Sequence, residues 1–219
     1  MKRQTHMLCM TLHGTRAGAT IVCMPRHRQA HPRGLRVVAG EAGGLPLVAP
    51  KGARTRPTAD RVKEALFAAL GPDRVVDASV LDLYAGSGAL AIEALSRGAS
   101  RALLVDRDPR AVDAIRANLR TTGMRERAHT QRRTVAGFVH DSPPEQAPFD
   151  LVLLDPPYDT PAREITSVLG ALAQPGWLAP AATVVVEQSA STPVPQLVDG
   201  WEARWERAYG DTLVRIVGP

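Results

Sequence analysis

The chain has 219 residues, of which 44% are hydrophobic, and its 27 Lys and Arg against 22 Asp and Glu give a formal net charge of +5. This length suits one sizeable core with a small appendage. No apolar run is long enough to span a membrane, and Cys9 and Cys23 have neither the number of a disulfide scaffold nor the spacing of a zinc site. We therefore expect a soluble cytoplasmic protein that binds no metal and contacts no membrane.

The front of the chain is basic and precedes the predicted fold. No acidic residue comes before Glu41, a pattern typical of a protein that contacts a polyanion, although a solvated tail would look the same. Residues 1–33 lack sustained periodicity and are predicted to be a disordered tail. Residues 34–55 hold two short apolar runs around a glycine-rich turn, which predicts a small hairpin extension. The main domain is predicted over residues 56–219.

A helix opens the main domain, and strands then alternate with helices. Pro57 and Thr58 favour a helix start, and the apolar spacing that follows predicts a helix to residue 70. Strands are predicted at 80–84, 101–106, 149–155 and 182–187, and helices at 88–98, after the Asp108–Pro109 cap, and around 161–173. The pattern indicates a doubly wound α/β sheet. Residues 201–209 and 212–217 predict an antiparallel hairpin at its edge.

The stretch DLYAGSGALA, residues 82–91, places two glycines where the first strand turns into a helix. Gly86 and Gly88 let the backbone approach a ligand that a side chain would block, and Asp106, at the end of the second strand, can accept hydrogen bonds from both hydroxyls of a ribose. A tight turn that only allows helix packing is the alternative. Asp82 would repel a pyrophosphate but suits a cationic amino group, such as that of S-adenosylmethionine.

A second motif, DPPY at residues 155–158, follows the strand ending FDLVLLD. Pro156 and Pro157 donate no N–H and fix the backbone, so the carbonyls of Asp155 and Pro156 are predicted to point at a fixed acceptor site. Acceptors there would favour the pyramidal, nucleophilic form of an exocyclic base amine, and the Tyr158 ring would stack on the base. A rigid turn without catalysis is the alternative.

These motifs resemble the class I S-adenosylmethionine-dependent amino-methyltransferases. RPTADRVKEALF at 56–67, LRVVAG before it and EALSRGA after the glycine turn are similar to the bacterial 16S rRNA (guanine-N2)-methyltransferase family, the guanine 966 enzymes. The resemblance covers about residues 35–217. It implies a seven-stranded Rossmann-like sheet with a small N-terminal hairpin and helix extension, S-adenosylmethionine as methyl donor, and a guanine of the small ribosomal subunit, or of an assembly intermediate, as acceptor.

The resemblance also assigns site residues. The residues that match the donor site are Asp82, Tyr84, Ala85, Gly86, Ser87, Gly88 and Asp106. The residues that match the catalytic amine site are Asp155, Pro156, Pro157 and Tyr158. One departure concerns adenine, since many relatives carry an acidic residue after the third strand where this chain has Arg133 and Thr134. Backbone contact with adenine is therefore expected.

Basic residues near the first helix are candidates for RNA contact. Arg54, Arg56 and Arg61 flank the predicted helix start and could hold phosphates beside the active rim, or they could simply be solvated helix charges. Few aromatic residues are available to read single strands, which favours recognition of a preformed RNA or ribonucleoprotein shape.

Three other functions remain as alternatives. Methylation of a DNA amine or of another RNA is compatible with DPPY, which recognises an amine and not a whole base. Methylation at cytosine C5 is rejected, because it needs a cysteine nucleophile and both cysteines lie in the irregular tail. A nicotinamide-dependent dehydrogenase would lack a catalytic His or Tyr-Lys arrangement beside the glycine turn. A non-catalytic nucleic-acid binder would not need Asp155 and Tyr158.

Overall fold

The structure, a computed structural model, describes residues 34–52 and 59–219. The predicted tail over residues 1–33, and the predicted helix start at Pro57 and Thr58, lie outside the described residues. Within the part that is described, no helix combines the length and the apolar character needed to cross a membrane.

Helices and strands alternate from α1 to β5, as the sequence predicts, and two further strands follow. The helices are α1 (Ala59–Leu70), α2 (Ala89–Ser96), α3 (Pro109–Thr121), α4 (Val135–Val139) and α5 (Ala162–Leu172). The strands are β1 (Ser79–Leu83), β2 (Arg101–Asp106), β3 (Ala128–Arg132), β4 (Phe149–Leu154), β5 (Leu178–Ser189), β6 (Glu202–Tyr209) and β7 (Thr212–Gly218). The cap that the sequence predicts for α3 is confirmed, because the Asp108 side chain accepts a hydrogen bond from the Arg110 N–H and Pro109 occupies the first turn.

The strands form one seven-stranded sheet in the order β3-β2-β1-β4-β5-β7-β6. Strands β1 to β5 pair in parallel, while β7 runs antiparallel to both β5 and β6. The predicted α/β fold and its C-terminal antiparallel hairpin are confirmed. The strand order reverses between β1 and β4, and ligands of doubly wound sheets bind at the carboxyl ends of the strands beside such a reversal. The site is therefore expected at the ends of β1, β2 and β4.

Two apolar layers cover the sheet. Helices α1, α2 and α3 contribute to the core on one face, where Leu66, Ile92 and Ile115 are almost completely buried. Helices α4 and α5 pack on the other face around Trp177. Trp201 and Trp205 pack against opposite layers, because Trp201 precedes β6 and the register of β6 against β7 shifts between Ala203 and Trp205. The sheet is thus buried on both sides, which leaves its carboxyl edge for a ligand.

A buried carboxylate joins the hairpin extension to the main sheet. Residues 35–47 fold back on themselves through backbone hydrogen bonds, including one from the Val37 N–H to the Leu45 carbonyl at 3.0 Å. Glu93 on α2 is fully buried and accepts from the N–H groups of Val38 and Ala39 at 2.7 and 3.0 Å. Arg97 completes the ion pair at 2.7 Å, one helical turn further along α2. The extension is therefore anchored to the helix that follows the glycine turn.

Candidate active site at the carboxyl edge of the sheet

The glycine turn lies between β1 and α2 with positive φ angles at both glycines. Gly86 has φ 57° and Gly88 has φ 74°, in the left-handed region that glycine adopts without cost. A Cβ at Gly88 would lie 2.9 Å from Leu104 Cδ2, whereas a Cβ at Gly86 would meet only the Tyr84 carbonyl at 3.9 Å. Gly88 is thus needed for packing against the core, and the outer side of Gly86 is open to a ligand.

Three carboxylates converge beside this turn from neighbouring strands. Asp82 lies in β1 beside Leu104 and Leu153, Asp106 ends β2, and Asp155 directly follows β4. Asp82 is 1% exposed, and burial raises its pKa to about 8, with the charges of Asp155 and Asp106 acting in the same direction. Its Oδ2 accepts from the Ala91 N–H at 3.2 Å, which opposes the shift. The site is electronegative and favours a cation.

Asp106 supports the turn from the end of β2. Its Oδ2 accepts from the Gly86 N–H at 2.8 Å, and its Oδ1 accepts from the Asp108 N–H at 2.9 Å. The side chain is half-buried. Because an ionised carboxylate has about four acceptor positions, each oxygen keeps capacity for a further donor. The carboxylate can therefore shape the turn and still bind hydroxyl groups.

Tyr84 connects the turn to the opposite layer. It is one of the non-glycine residues with positive φ, at 60°, and its hydroxyl donates to Glu164 on α5 at 3.0 Å. Burial, and next the charge of Glu164, raise the pKa of the Tyr84 phenol. The hydroxyl therefore stays protonated and keeps its donor role. Sequence reasoning missed Glu164, because nothing local to it indicates a partner eighty residues earlier.

The DPPY motif forms the loop between β4 and α5. The Asp155 N–H donates to the Leu83 carbonyl at 3.5 Å, so the loop begins beside the glycine turn. The Thr160 N–H donates to the Pro157 carbonyl at 2.9 Å, whereas the Pro156 carbonyl accepts no hydrogen bond from the residues that the structure describes. Tyr158 is 39% exposed and its hydroxyl is 2.8 Å from Thr212 Oγ1 on β7. The ring is thus held at the rim with part of its surface open.

Asn118 links the hairpin extension to the glycine turn. The side chain is fully buried on α3; its Oδ1 accepts from the Val48 N–H at 2.8 Å, and its Nδ2 donates to the carbonyls of Val48 and Ser87 at 2.9 and 2.8 Å. The sequence offered one signal for it, namely a polar residue on the apolar side of a helix whose Ile115 and Leu119 face inward.

At the end of β3, Arg133 and Thr134 stand where many relatives carry an acidic residue. The Arg133 N–H donates to the Asp106 carbonyl at 3.1 Å, and its guanidinium forms an ion pair with Asp141 at 2.7 Å. Thr134 caps α4 by accepting from the Gly137 N–H at 3.3 Å. Both side chains are therefore engaged with their own loop, in keeping with the expectation that backbone groups contact adenine.

Only part of the predicted RNA contact set can be placed. Arg61 is exposed in the first turn of α1, and Lys51 is exposed at the end of the extension. Arg54 and Arg56 lie outside the described residues. Lys63, one turn beyond the start of α1, is instead buried, with 4% of its surface exposed, and lies 3.9 Å from Glu93.

The family described as Conserved hypothetical protein 95 matches residues 35–218 of this chain. Among curated proteins, Ribosomal RNA small subunit methyltransferase D of Escherichia coli is 34% identical over 182 residues, which cover 83% of this chain and 88% of that protein. The protein of the same name in Haemophilus influenzae is 34% identical over 183 residues, which cover 83% and 92%. The similarity begins with the extension and includes both motifs.

Solved structures agree with the sequence comparison. The Escherichia coli structure named yhhF, described as a candidate methyltransferase, superposes with a TM-score of 0.74 at 31% identity, covering 84% of this chain and 96% of that one. A ribosomal protein L11 methylase from Lactobacillus delbrueckii superposes with a TM-score of 0.53 at 19% identity, which shows the shared fold alone. The arrangement of sheet and extension is thus one that known methyltransferases have.

Proposed function

We propose, because this chain belongs to the family described as Conserved hypothetical protein 95, that it transfers a methyl group to the exocyclic N2 of a guanine in 16S rRNA, the guanine 966 type of reaction. The fold is that of the class I methyltransferases, whose methyl donor is S-adenosylmethionine. The proposal specifies guanine as the methylated base, N2 as its reacting atom and position 966 as its place in the rRNA. A DNA amine or another RNA is the alternative acceptor.

The convergence of Asp82, Asp106 and Asp155 supports this donor above all. Carboxylates at these adjacent strand ends would repel the pyrophosphate of a dinucleotide wherever they are ionised, because like charges in a partly buried site interact strongly. Asp82, whose pKa burial raises to about 8, holds its proton in the ligand-free site and would ionise beside a cation. S-adenosylmethionine carries a cationic sulfonium and a cationic amino group. The residues present therefore fit it better than they fit a nicotinamide dinucleotide.

Each part of the donor site has a residue suited to it. Gly86 leaves open space beside the turn, Asp106 keeps acceptor capacity for ribose hydroxyls, and Asp82 would attract a cationic amino group from behind the turn. Backbone groups around Arg133 and Thr134 would contact adenine, since both side chains are engaged locally. When bound, S-adenosylmethionine supplies a methyl group on a sulfur that departs as a neutral thioether.

The DPPY loop would hold the acceptor amine. The Asp155 carboxylate and the Pro156 carbonyl accept from the two amine N–H groups, which favours the pyramidal nitrogen whose lone pair attacks a methyl carbon. Tyr158 stacks on the guanine, a contact of roughly 1–3 kcal/mol. The amine sheds one proton after attack, and Asp155 is at most its transient acceptor. Most of the rate then comes from alignment, which fixed prolines favour.

An RNA substrate is supported by the relatives' names and by charge. The Escherichia coli and Haemophilus influenzae proteins are named for the small subunit rRNA. This chain has exposed cations at the end of the extension, Lys51, and in the first turn of α1, Arg61, to which Arg54 and Arg56 would be added. Small subunits or their assembly intermediates in the cytoplasm are the proposed partner.

The test is transfer of labelled methyl from S-adenosylmethionine to small ribosomal subunits that lack the modification, with protein-free rRNA and duplex DNA in parallel, followed by nucleoside analysis. We expect N2-methylguanosine in rRNA. Asp155→Ala should lower kcat by roughly 100-fold or more while donor affinity changes little. Asp159→Ala, four positions along the same loop and exposed, is the matched control.

Two results would contradict the proposal. Methylated adenine in the duplex DNA sample would support the role of the DPPY loop as an amine site but would contradict rRNA as the substrate. Full activity of Asp155→Ala would remove the role of the DPPY loop, whichever nucleic acid is methylated.

A further inference from the structure

A basic groove lies on the flank of the sheet, away from the carboxyl edge. It has a volume of about 280 Å³ and is bounded by the side chains of Arg116, Arg120, Arg125 and His129, all of which are exposed. We propose that this groove binds a phosphate group of the RNA backbone and so provides a second anchoring point for the substrate. The inference rests on the proposed rRNA substrate and extends it.

The cations around the groove have no carboxylate partners within the described residues. No ion pair among those residues includes Arg116, Arg120 or Arg125. Arg127, two positions after Arg125, is different, since it pairs with Glu41 of the extension. Unpaired like charges around one concavity repel each other, and a bound anion would relieve that repulsion.

The size and floor of the groove favour a phosphate over a larger ligand. Cofactor and drug sites commonly have volumes of roughly 300–1,000 Å³ and bury most of the ligand, whereas this groove lies at the lower limit and is open. Its floor is made by Leu119 and Ala128, which are 3% and 9% exposed. The arginines therefore surround a floor that is part of the packed core. Arginine binds phosphate in a bidentate manner.

The groove also has a favourable position relative to the reaction rim. Strand β3 is an edge strand, so its outer side is open to a nucleic acid chain. Helix α3 begins at the rim with Pro109, and with 1.5 Å per residue Arg116 and Arg120 lie about 10 and 16 Å back along its axis. A phosphate bound there would belong to a nucleotide some distance from the methylated base. The contact would orient the RNA without reading its sequence.

The experiment compares two double variants of the full chain. Arg120→Gln with Arg125→Gln removes two charges from the groove, and Arg204→Gln with Arg207→Gln removes two exposed charges from β6, at the opposite edge of the sheet. Binding to protein-free 16S rRNA and to assembled small ribosomal subunits is measured between 50 and 300 mM salt. We expect the groove variant to bind about tenfold more weakly, with a log–log salt slope smaller by about 1, as for the loss of one phosphate contact. Its kcat at saturating RNA and its donor affinity should be unchanged.

Each other outcome overturns a specific statement. Equal losses in both double variants would mean that net charge matters and the groove does not. A loss confined to assembled subunits, with protein-free rRNA bound normally, would point to a ribosomal protein and overturn the assignment to RNA. If the wild type methylates rRNA and the groove variant keeps the wild-type salt slope, only the phosphate-binding role of the groove is contradicted. If the wild type binds rRNA but methylates none, the proposed function is contradicted. The comparison of salt slopes would still show whether the groove binds an RNA phosphate.

Discussion

The Tyr84 hydroxyl donates a 3.0 Å hydrogen bond to the Glu164 carboxylate and so joins the glycine turn to helix α5 across the end of the sheet. Tyr84 holds φ at 60°, a conformation that costs a non-glycine residue roughly 1 kcal/mol or more. Because α5 follows the DPPY loop, this bond fixes the glycine turn relative to the proposed amine site.

Tyr84→Phe should therefore destabilise the protein and weaken donor binding. A hydrogen bond to a charged group contributes about 1.5–3 kcal/mol when buried, and partial exposure of both side chains reduces that to roughly 1 kcal/mol here. We expect a lower free energy of unfolding in urea and a several-fold higher Kd for S-adenosylmethionine by calorimetry.

Tyr209→Phe is the matched control. The Tyr209 hydroxyl is buried and has no hydrogen-bond partner among the residues that the structure describes. Removing an unsatisfied buried hydroxyl removes a desolvation cost, so stability should stay equal or rise. Equal destabilisation by both substitutions would show that the Tyr84 bond adds nothing beyond ring packing.

The fold was predictable wherever the signal is local in the sequence. The Asp108–Pro109 start of α3 and the Gly210–Asp211 turn between β6 and β7 each need only neighbouring residues, and both are found as predicted. Strand β5 is longer than predicted, beginning at Leu178, because its pairing with β4 resumes beyond a register shift, where Leu178 lies opposite Phe149. Pairing of that kind depends on the partner strand and leaves no hydrophobic run to detect.

The site was predictable in its motifs but not in their supports. Asp82 and Asp106 stand in strands that the apolar pattern locates, so the sheet topology brings them together. Glu93 and Asn118 act on backbone groups 54 to 70 residues away along the chain. A buried polar residue on a helix signals that some partner exists, yet only the tertiary structure supplies its identity.

Gly40 is predicted to be essential for docking the extension on α2. Its φ is 85°, and a Cβ there would lie 1.8 Å from the Ser96 carbonyl oxygen. Since that oxygen belongs to a helix end and accepts from the Glu41 N–H at 2.8 Å, it cannot move without loss of the contact. Gly40→Ala should lower the free energy of unfolding by about 3 kcal/mol or more, as measured in urea.

Gly44→Ala separates steric clash from backbone strain. Gly44 has φ 88° in the same turn, and a Cβ there meets nothing within 4 Å. This substitution should cost only the strain of the left-handed conformation, about 1–2 kcal/mol. If Gly40→Ala costs no more than Gly44→Ala, the contact between the extension and Ser96 does not form in solution.

Asn118 is predicted to couple the extension to the glycine turn. Asn118→Asp keeps the shape of the side chain but removes the amide donors to the Val48 and Ser87 carbonyls. A buried carboxylate facing two carbonyls is unfavourable in either protonation state, so we expect a loss of about 3 kcal/mol or more in unfolding free energy. Donor affinity should also fall, because the Ser87 carbonyl loses its support.

A control for the change from an amide to an acid is the same kind of substitution at an exposed position. Gln174→Glu, just beyond the end of α5, replaces an exposed side-chain amide that donates a 3.4 Å hydrogen bond to the Gly170 carbonyl. Its unfolding free energy should change by less than about 0.5 kcal/mol. Normal donor affinity in Asn118→Asp, despite a large loss of stability, would mean that the residue supports the fold without acting on the turn.

Asp82 should make the stability of the ligand-free protein depend on pH. Burial, followed by the charges of Asp155 and Asp106, raises its pKa from 3.8 to about 8, against the opposing hydrogen bond from Ala91. Between those values the folded protein holds a proton that the unfolded chain has released. The free energy of unfolding therefore falls as pH rises through this range, by up to about 1.4 kcal/mol per unit from this group.

Donor binding should show the opposite dependence on pH. A cationic amino group beside Asp82 favours the ionised carboxylate, so binding releases a proton and the affinity for S-adenosylmethionine rises with pH up to about 8. Calorimetry in buffers of different ionisation enthalpy measures that proton directly. In Asp82→Asn, whose side-chain oxygen can still accept from the Ala91 N–H, the proton release should vanish and the stability profile should flatten.

Asp113→Asn, an exposed position on α3, is the control for removing one carboxylate, and both of its pH profiles should follow the wild type. Proton release that persists in Asp82→Asn would assign the titration to another group at the strand ends, with Asp155 and Asp106 as the charged neighbours. Proton release that disappears while affinity is unchanged at every pH would separate the titration of Asp82 from recognition of the amino group. Only loss of both proton release and affinity is consistent with a carboxylate that meets the cationic end of the donor, because a purely structural cap would leave the affinity unchanged once the protein is folded.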